Sequence, residues 1–173
     1  MTHSSVSLRI AVLAALIAIA DPAAAAKCGG ELECACGDRV VQDYRLPSDL
    51  GPCPEAGLEI GGPIVLDGGG HTIRGAGKGF GVRLGREASG SQVRNLRVTG
   101  FARGLRLQSV RNARVEDVEA FRNGDFVKHV GYGIDFAQGA SANVVTRARV
   151  HDNADEGIHL GAHCRDNRIV DSE

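Results

Sequence analysis

GVRLGREASGSQVRNLRVTGFARGLRL, residues 81–107, holds one full period of the chain's repeat, and its reading decides the fold. It opens on glycine, aliphatic, any residue, aliphatic. It passes a turn rich in Gly and Ser, runs through a half-apolar stretch (Val93, Leu96, Val98) and returns to the opening pattern. That pattern occurs five times: GLEI at Gly57, GVRL at Gly81, GLRL at Gly104, GIDF at Gly133 and GIHL at Gly157. The steps between these glycines are 24, 23, 29 and 24 residues. Self-similarity at such a period marks a solenoid. The long step holds one insertion, at about Gly124 to Gly131.

A second strand signal follows in phase. Apolar residues recur at Val93, Leu96 and Val98, at Val115, Val118 and Ala120, and at Val145, Ala148 and Val150. Alternation of this kind predicts strands with one buried face. No stretch beyond the N-terminal segment sustains a helical period, so almost no helix is expected. One repeat cannot bury its own apolar face, whereas stacked repeats bury a continuous one. The expected fold is therefore all-β, a right-handed parallel β-helix of about five coils. Its clearest inward column is Leu58, Val82, Leu105, Ile134 and Ile158. A leucine-rich repeat would need the LxxLxLxxN spacing, which is missing, and a β-propeller a period of about 40 residues.

The flanks divide the chain further. Residues 1–26 have a short polar start with His3 and Arg9, an apolar run from Ile10 to Ala20, and alanines at 23–26. The run falls short of the ~20 residues of a membrane span, so it reads as a secretory signal cleaved after Ala26. The expected destination is secreted or periplasmic, with no membrane association after cleavage. Residues 27–56 carry Cys28, Cys34, Cys36 and Cys53 and suit a Cys-rich N-terminal cap. In an oxidising compartment these make two disulfides, with three pairings open. A zinc site is the alternative, although the spacing matches no common structural pattern. Cys164 is left as a free thiol or one whose partner lies outside the sequence. Residues 57–173 hold the repeats. The sequence ends within a strand signal and without a C-terminal cap, so it is expected to be the first part of a longer solenoid.

Net charge is -1, aromatic residues make up 4% and tryptophan is absent. Neither a basic excess nor a stacking surface suggests a nucleic-acid partner. A monomer is expected. No cofactor is called for, and nothing in the pattern indicates calcium.

The repeat register gives one positional inference. The middle residue of each motif points outward, and stacking brings Glu59, Arg83, Arg106, Asp135 and His159 into one exposed column. Arginine matches a carboxylate bidentately, so Arg83 and Arg106 suit an acidic polysaccharide. His159 or Tyr132 suits a general base, with Asp135 orienting the imidazole. Lys128 and His129, on the insertion before Tyr132, stand where a loop would close over a ligand. Asp155 and Glu156 add acidic groups beside His159, and His159, His163 and Cys164 form a candidate metal set. The competing reading of the column is a surface ladder of ion pairs, each worth about 0 to 1 kcal/mol. Asn112, Asn123, Asn143, Asn153 and Asn167 fall at turns and read as turn or ladder asparagines.

VLDGGGHTIRG at 65–75, the GVRL and VRNLRVTGF stretches, and DNADEGIHL with NRIVDS further on resemble the pectate-lyase-like right-handed β-helix superfamily. More closely, they resemble bacterial right-handed β-helix repeat proteins. The resemblance covers about Val65 to Glu173. It implies the fold, and it implies polysaccharide chemistry only broadly, since lyases, epimerases, hydrolases, tailspikes and accessory proteins share the architecture. GYGIDF at Gly131 to Phe136 is similar to the YGFDPHD motif of alginate C5-epimerases. Tyr132, Gly133 and Asp135 match, while Phe136 and Ala137 stand where that family has Pro and a catalytic His. The resemblance carries over Tyr132 and Asp135 only. Three functions stay open: a lyase or epimerase acting on acidic polysaccharide (with a hydrolase behind), a non-catalytic surface or carbohydrate-binding solenoid, and an inactive fragment of a longer β-helix protein.

Overall fold

A computed structural model describes residues 25–173. The proposed signal segment therefore lies, up to residue 24, outside the described residues. A short strand β1 (Lys27–Cys28) leads into six coils. The first has β2 (Arg39–Val40), β3 (Tyr44–Arg45) and β4 (Leu50–Cys53), and the second β5 (Leu58–Ile60), β6 (Val65–Asp67) and β7 (Thr72–Gly75). The third has β8 (Phe80–Leu84) and β9 (Gln92–Thr99), and the fourth β10 (Arg103–Gln108) and β11 (Arg114–Phe121). The fifth has β12 (Tyr132–Ala137), β13 (Val144–Thr146) and β14 (Arg149–His151), and the sixth β15 (Ile158–Leu160) and β16 (Arg168–Val170). Among the described residues the one helical element is a 3₁₀ turn at Arg86–Ala88, and no helix is long and apolar enough to cross a membrane.

The strands stack into two parallel sheets. One runs β1-β2-β5-β8-β10-β12-β15, and the other contains β3, β6, β9, β11, β13 and β16, with β4, β7 and β14 paired alongside. The coil count is one higher than the five motifs imply. Arg39–Val40 lacks the leading glycine, so pattern reading passes over it, yet Arg39 pairs with Glu59 and Val40 with Ile60 in continuous register. The inward column follows the expected register: Leu58 to Val82, Val82 to Leu105, Leu105 to Ile134, Ile134 to Ile158. Its members from Leu58 to Ile134 are at most 2% exposed. Each such burial contributes about 1.5–3 kcal/mol.

The motif glycine is a requirement of close approach. A Cβ on Gly104 would lie 2.4 Å from the Gly133 carbonyl oxygen and 2.9 Å from Asn123 Nδ2. The second strand signal departs from strict alternation for a local reason. Asn95, Asp117 and Arg147 hold left-handed backbone at φ 51°, 53° and 51°, turning a corner between the first and second apolar residue of each stretch. The LDGGGH stretch makes a tight corner of the same kind, with Gly69 and Gly70 at φ 61° and 82°.

Two asparagine ladders lie buried at corners. Asn143 Oδ1 accepts the Ala113 N–H (2.9 Å), and its Nδ2 donates to the Val110 carbonyl (3.1 Å) and to Asn167 Oδ1 (2.9 Å). Asn123 and Asn153 repeat the arrangement. Asn112 is not in the ladder. It is an exposed left-handed corner residue at φ 55°, and Ala113 is its coil's neighbour to Asn143.

The cysteine cluster resolves to Cys28–Cys34 and Cys36–Cys53, with Cys164 free. Cys53 ends the third strand of the first coil, so the second bridge ties that coil to the preceding loop. Disulfides fit an oxidising extracytoplasmic setting.

Candidate functional site

Parallel pairing places Arg39, Glu59, Arg83, Arg106, Asp135 and His159 side by side on successive coils. Neighbours in such a column are about 4.8 Å apart. A second column, one step before each motif glycine, runs Phe80, Arg103 and Tyr132. The Gly133 N–H donates to the Glu156 carbonyl oxygen (3.2 Å), so Glu156 continues it. Both columns face away from the core because Gly104 and Leu105 turn inward between Arg103 and Arg106, as Gly133 and Ile134 do between Tyr132 and Asp135.

Asp135 is the hub. Its side chain is only 4% exposed, and three groups converge on it. His159 Nδ1 lies 3.0 Å from Oδ1, while Arg103 Nε and Arg106 Nη1 lie 3.1 and 3.5 Å from Oδ2. The Nε atoms of both arginines are buried without a hydrogen bond of good geometry. The guanidiniums are held by charge attraction and by aromatic faces: Arg103 lies 5.8 Å from the Tyr132 ring centroid, Arg106 5.4 Å from that of Phe80. Such cation–π contacts contribute roughly 0.5–2 kcal/mol each. Burial lowers the Arg106 pKa; Asp135 opposes this, and the neighbouring charges of Arg103 and Arg83 add to it.

His159 is fixed on two sides. Its Nδ1 meets the carboxylate, and its ring stacks on Tyr132 with centroids 4.3 Å apart and planes 10° off parallel. A carboxylate only accepts, so in the neutral ring Nδ1 carries the proton and Nε2 the lone pair. The arrangement can therefore take a proton at Nε2 and stabilise the imidazolium through Asp135.

The other end of the column has a different character. Glu59 receives Arg83 and Arg39, and Glu87 reaches Arg39 as well. That end is a ladder of ion pairs. Along the whole face, guanidiniums outnumber the carboxylates that meet them.

The remaining sequence candidates lie at the margin. The insertion projects from the corner before Tyr132 and closes on itself through an Asp125–Val130 bridge. Lys128 Nζ lies 3.2 Å from Asp125 Oδ2 within that loop, and His129 is exposed at φ 52°. Neither is a partner of Asp135 or His159. Asp155 and Glu156 are exposed, and among the described residues neither forms an ion pair; the Asp155 N–H donates to the Gly131 carbonyl oxygen (3.2 Å) at the base of the insertion. Among the described residues no three His, Cys, Asp or Glu side chains are grouped to hold a metal ion, and His159, His163 and Cys164 do not form such a set.

Sequence reading missed Arg103 and Phe80. The signal was present, since the residue before each motif glycine recurs with the same period. Strict alternation, however, assigns Arg103 and Arg106 to opposite faces.

The other sheet repeats the theme. Glu119 meets Arg97 (2.6 Å), Arg149 (3.6 Å) and His151 (3.1 Å), and the His151 ring stacks on Phe121 at 5.5 Å. Hydrogen bonds to Glu119 and then Asp152 raise the His151 pKa. Burial pushes Glu119 up, and the hydrogen bonds from His151 and Arg97 outweigh it, leaving its pKa lowered. This cluster has no phenol beside its imidazole.

Fold and site together define a parallel β-helix with a cationic strand face built on one buried carboxylate. Residues 59–173 match the family model described as the right-handed β-helix region, and the chain belongs to that family. No curated protein and no solved structure matches the chain.

Proposed function

We propose that this is an exported β-helix protein that acts on acidic polysaccharide by β-elimination, with Tyr132, Asp135 and His159 at its centre. One observation carries the reading: the His159 imidazole is pinned between a buried carboxylate and a stacked phenol, with Arg103 and Arg106 on the same carboxylate. Breaking a polyuronate this way requires a base for the proton beside the sugar carboxylate. It also requires cations to stabilise the charge that develops there. In the proposed step His159 Nε2 takes the ring proton, and the electron pair forms the carbon–carbon double bond. The glycosidic oxygen leaves with its bonding electrons and takes a proton from the Tyr132 hydroxyl. Arg83, Arg103 and Arg106 face the substrate carboxylate.

Elimination fits better than epimerisation, which needs a proton donor across the sugar ring from the base. Here His159 and Tyr132 stack side by side. Hydrolysis fits less well, because Asp135 is engaged by two guanidiniums and the imidazole. Lys128, His129, Asp155 and Glu156 surround this end of the face and are proposed as outlying contacts to the glycan.

A second reading, a non-catalytic solenoid that binds acidic glycan, is favoured by the engagement of Arg83 and Arg106 with Glu59 and Asp135. Purified protein incubated with polygalacturonate, alginate and glucuronan separates the two. The enzyme reading expects unsaturated uronate ends by ultraviolet absorbance, lost in His159→Ala while glycan binding persists. Binding without product on every substrate supports the second reading and overturns the first.

A further inference from the structure

A cleft of about 450 Å³ lies at the corner that follows the strand face, where the chain passes from one sheet to the other. Arg86, Arg111 and Arg165 line it, with His163, Ser89 and Ser109 between them. The lining contains no carboxylate, no Phe, Tyr or Trp and no large aliphatic side chain.

The stacking explains both the cleft and its charge. Arg111, Ser141 and Arg165 are register neighbours on three successive coils. Ser141 is 5% exposed and short, so it cannot fill the space between the arginines before and after it. Their backbones are two strand spacings apart, roughly 10 Å. Gly139, also in the lining, leaves the same coil open. The hydroxyls brace the walls: Ser89 Oγ donates to the Arg86 carbonyl oxygen (2.7 Å) and accepts the Arg111 N–H (3.2 Å), and Ser109 Oγ donates to the Gln138 carbonyl oxygen (2.8 Å).

The guanidiniums, by contrast, are left over. Among the described residues Arg86 and Arg111 have no acidic partner, and Arg165 has only the 4.0 Å contact with exposed Asp166. This separates the corner from the Asp135 face, where each arginine meets a carboxylate. Three cations around a gap repel one another, and an anion between them relieves that repulsion.

We infer that this corner is an oxyanion-binding cleft, taking a carboxylate, sulfate or phosphate group between Arg111 and Arg165 with Arg86 beside it. The absence of Phe, Tyr and Trp from the lining disfavours stacked bases. The absence of apolar side chains disfavours a lipid surface. The two remaining sources are a free inorganic anion and an anionic group carried on a glycan.

The test is calorimetric titration of the full chain at low salt with inorganic sulfate and, separately, with a galacturonate oligomer. Saturable sulfate binding is expected, weakened roughly tenfold by Arg111→Ala or by Arg165→Ala, the scale of a charge-assisted contact. Gln138→Glu, which sets a carboxylate at the rim, is expected to abolish it. These residues are exposed, and circular dichroism would verify that each variant keeps its fold. An oligomer that binds more tightly than sulfate, and loses that advantage in the Arg111→Ala/Arg165→Ala double variant, identifies the glycan source. An oligomer that binds no more tightly identifies the free anion. Wild-type chain that binds no sulfate, or a double variant that binds it unchanged, overturns the inference. His159→Ala and Arg83→Ala leave sulfate binding intact, so failure here is distinguishable from failure of the strand-face reading.

Discussion

Replacing Asp135 by Asn tests the hub directly. The substitution keeps the shape and one acceptor oxygen but removes the charge on which Arg103, Arg106 and His159 converge. A unit charge pair near 4 Å is worth about 4 kcal/mol at the effective dielectric of a partly buried site. The cost of burying the carboxylate offsets much of that in the intact protein. In the variant the offset does not operate in reverse, because the guanidiniums stay where packing holds them. Arg106, with its side chain 17% exposed, rehydrates poorly; Arg103, at 36%, rehydrates in part. The net loss is about 2–4 kcal/mol, below the range for fully buried pairs because of Arg103. For a chain of this size that lowers the melting temperature by roughly 4–16 °C. Urea denaturation of wild type and Asp135→Asn measures the loss. If the enzyme reading holds, turnover falls more steeply, because the Asn side chain no longer fixes the proton on His159 Nδ1; a comparable swap in a catalytic triad costs on the order of 10⁴ in rate. A variant within about 0.5 kcal/mol of wild type, the range of a neutral surface change, would refute the hub argument.

Other outcomes follow from the same geometry. Asn143→Ala removes three hydrogen bonds from a site that is 0% exposed, stranding the Ala113 N–H and the Val110 carbonyl; a loss of about 2–5 kcal/mol in chemical denaturation is expected, and exposed Asn112→Gly, which tolerates the left-handed backbone there, serves as the mild control. Gly104→Ala puts a methyl 2.4 Å from the Gly133 carbonyl oxygen, so a melting curve should show about 1–3 kcal/mol of overpacking cost, and an unchanged curve would contradict the close approach. The Glu119–His151 pair sets a pH window. Its His151 contribution is complete below 6.5 and fades as pH rises through the raised folded value; its Glu119 contribution is complete above 4.5 and fades as pH falls through the lowered folded value. The wild-type stability advantage over His151→Gln should therefore be greatest between about 4.5 and 6.5, and a pH-independent difference would count against the pairing.

Pattern alone carried the fold a long way. A repeated glycine-led motif states that backbones stack closely, and its period sets the register, so the placement of Arg83, Arg106, Asp135 and His159 beside one another was legible from residue spacing. Departures from the pattern were not. The first coil escaped because Arg39–Val40 pairs like the others without a motif glycine. Arg103 escaped because two consecutive inward residues, Gly104 and Leu105, break alternation within β10. The pairing of the N-terminal cysteines was open among three choices until backbone proximity selected Cys28–Cys34 and Cys36–Cys53.

What the sequence by itself determined is the repeat: which residues stack, which face in, and which charges share a strand face. Short-range geometry does that work, since period two and a fixed strand spacing act on every coil alike. The tertiary structure alone decided what those charges do. Glu59 neutralises one end of the column, Asp135 gathers two guanidiniums and an imidazole at the other, and among the described residues the corner arginines Arg86 and Arg111 keep no acidic partner. Ion-pair choice depends on rotamers and burial across coils some two dozen residues apart, and no local pattern records it.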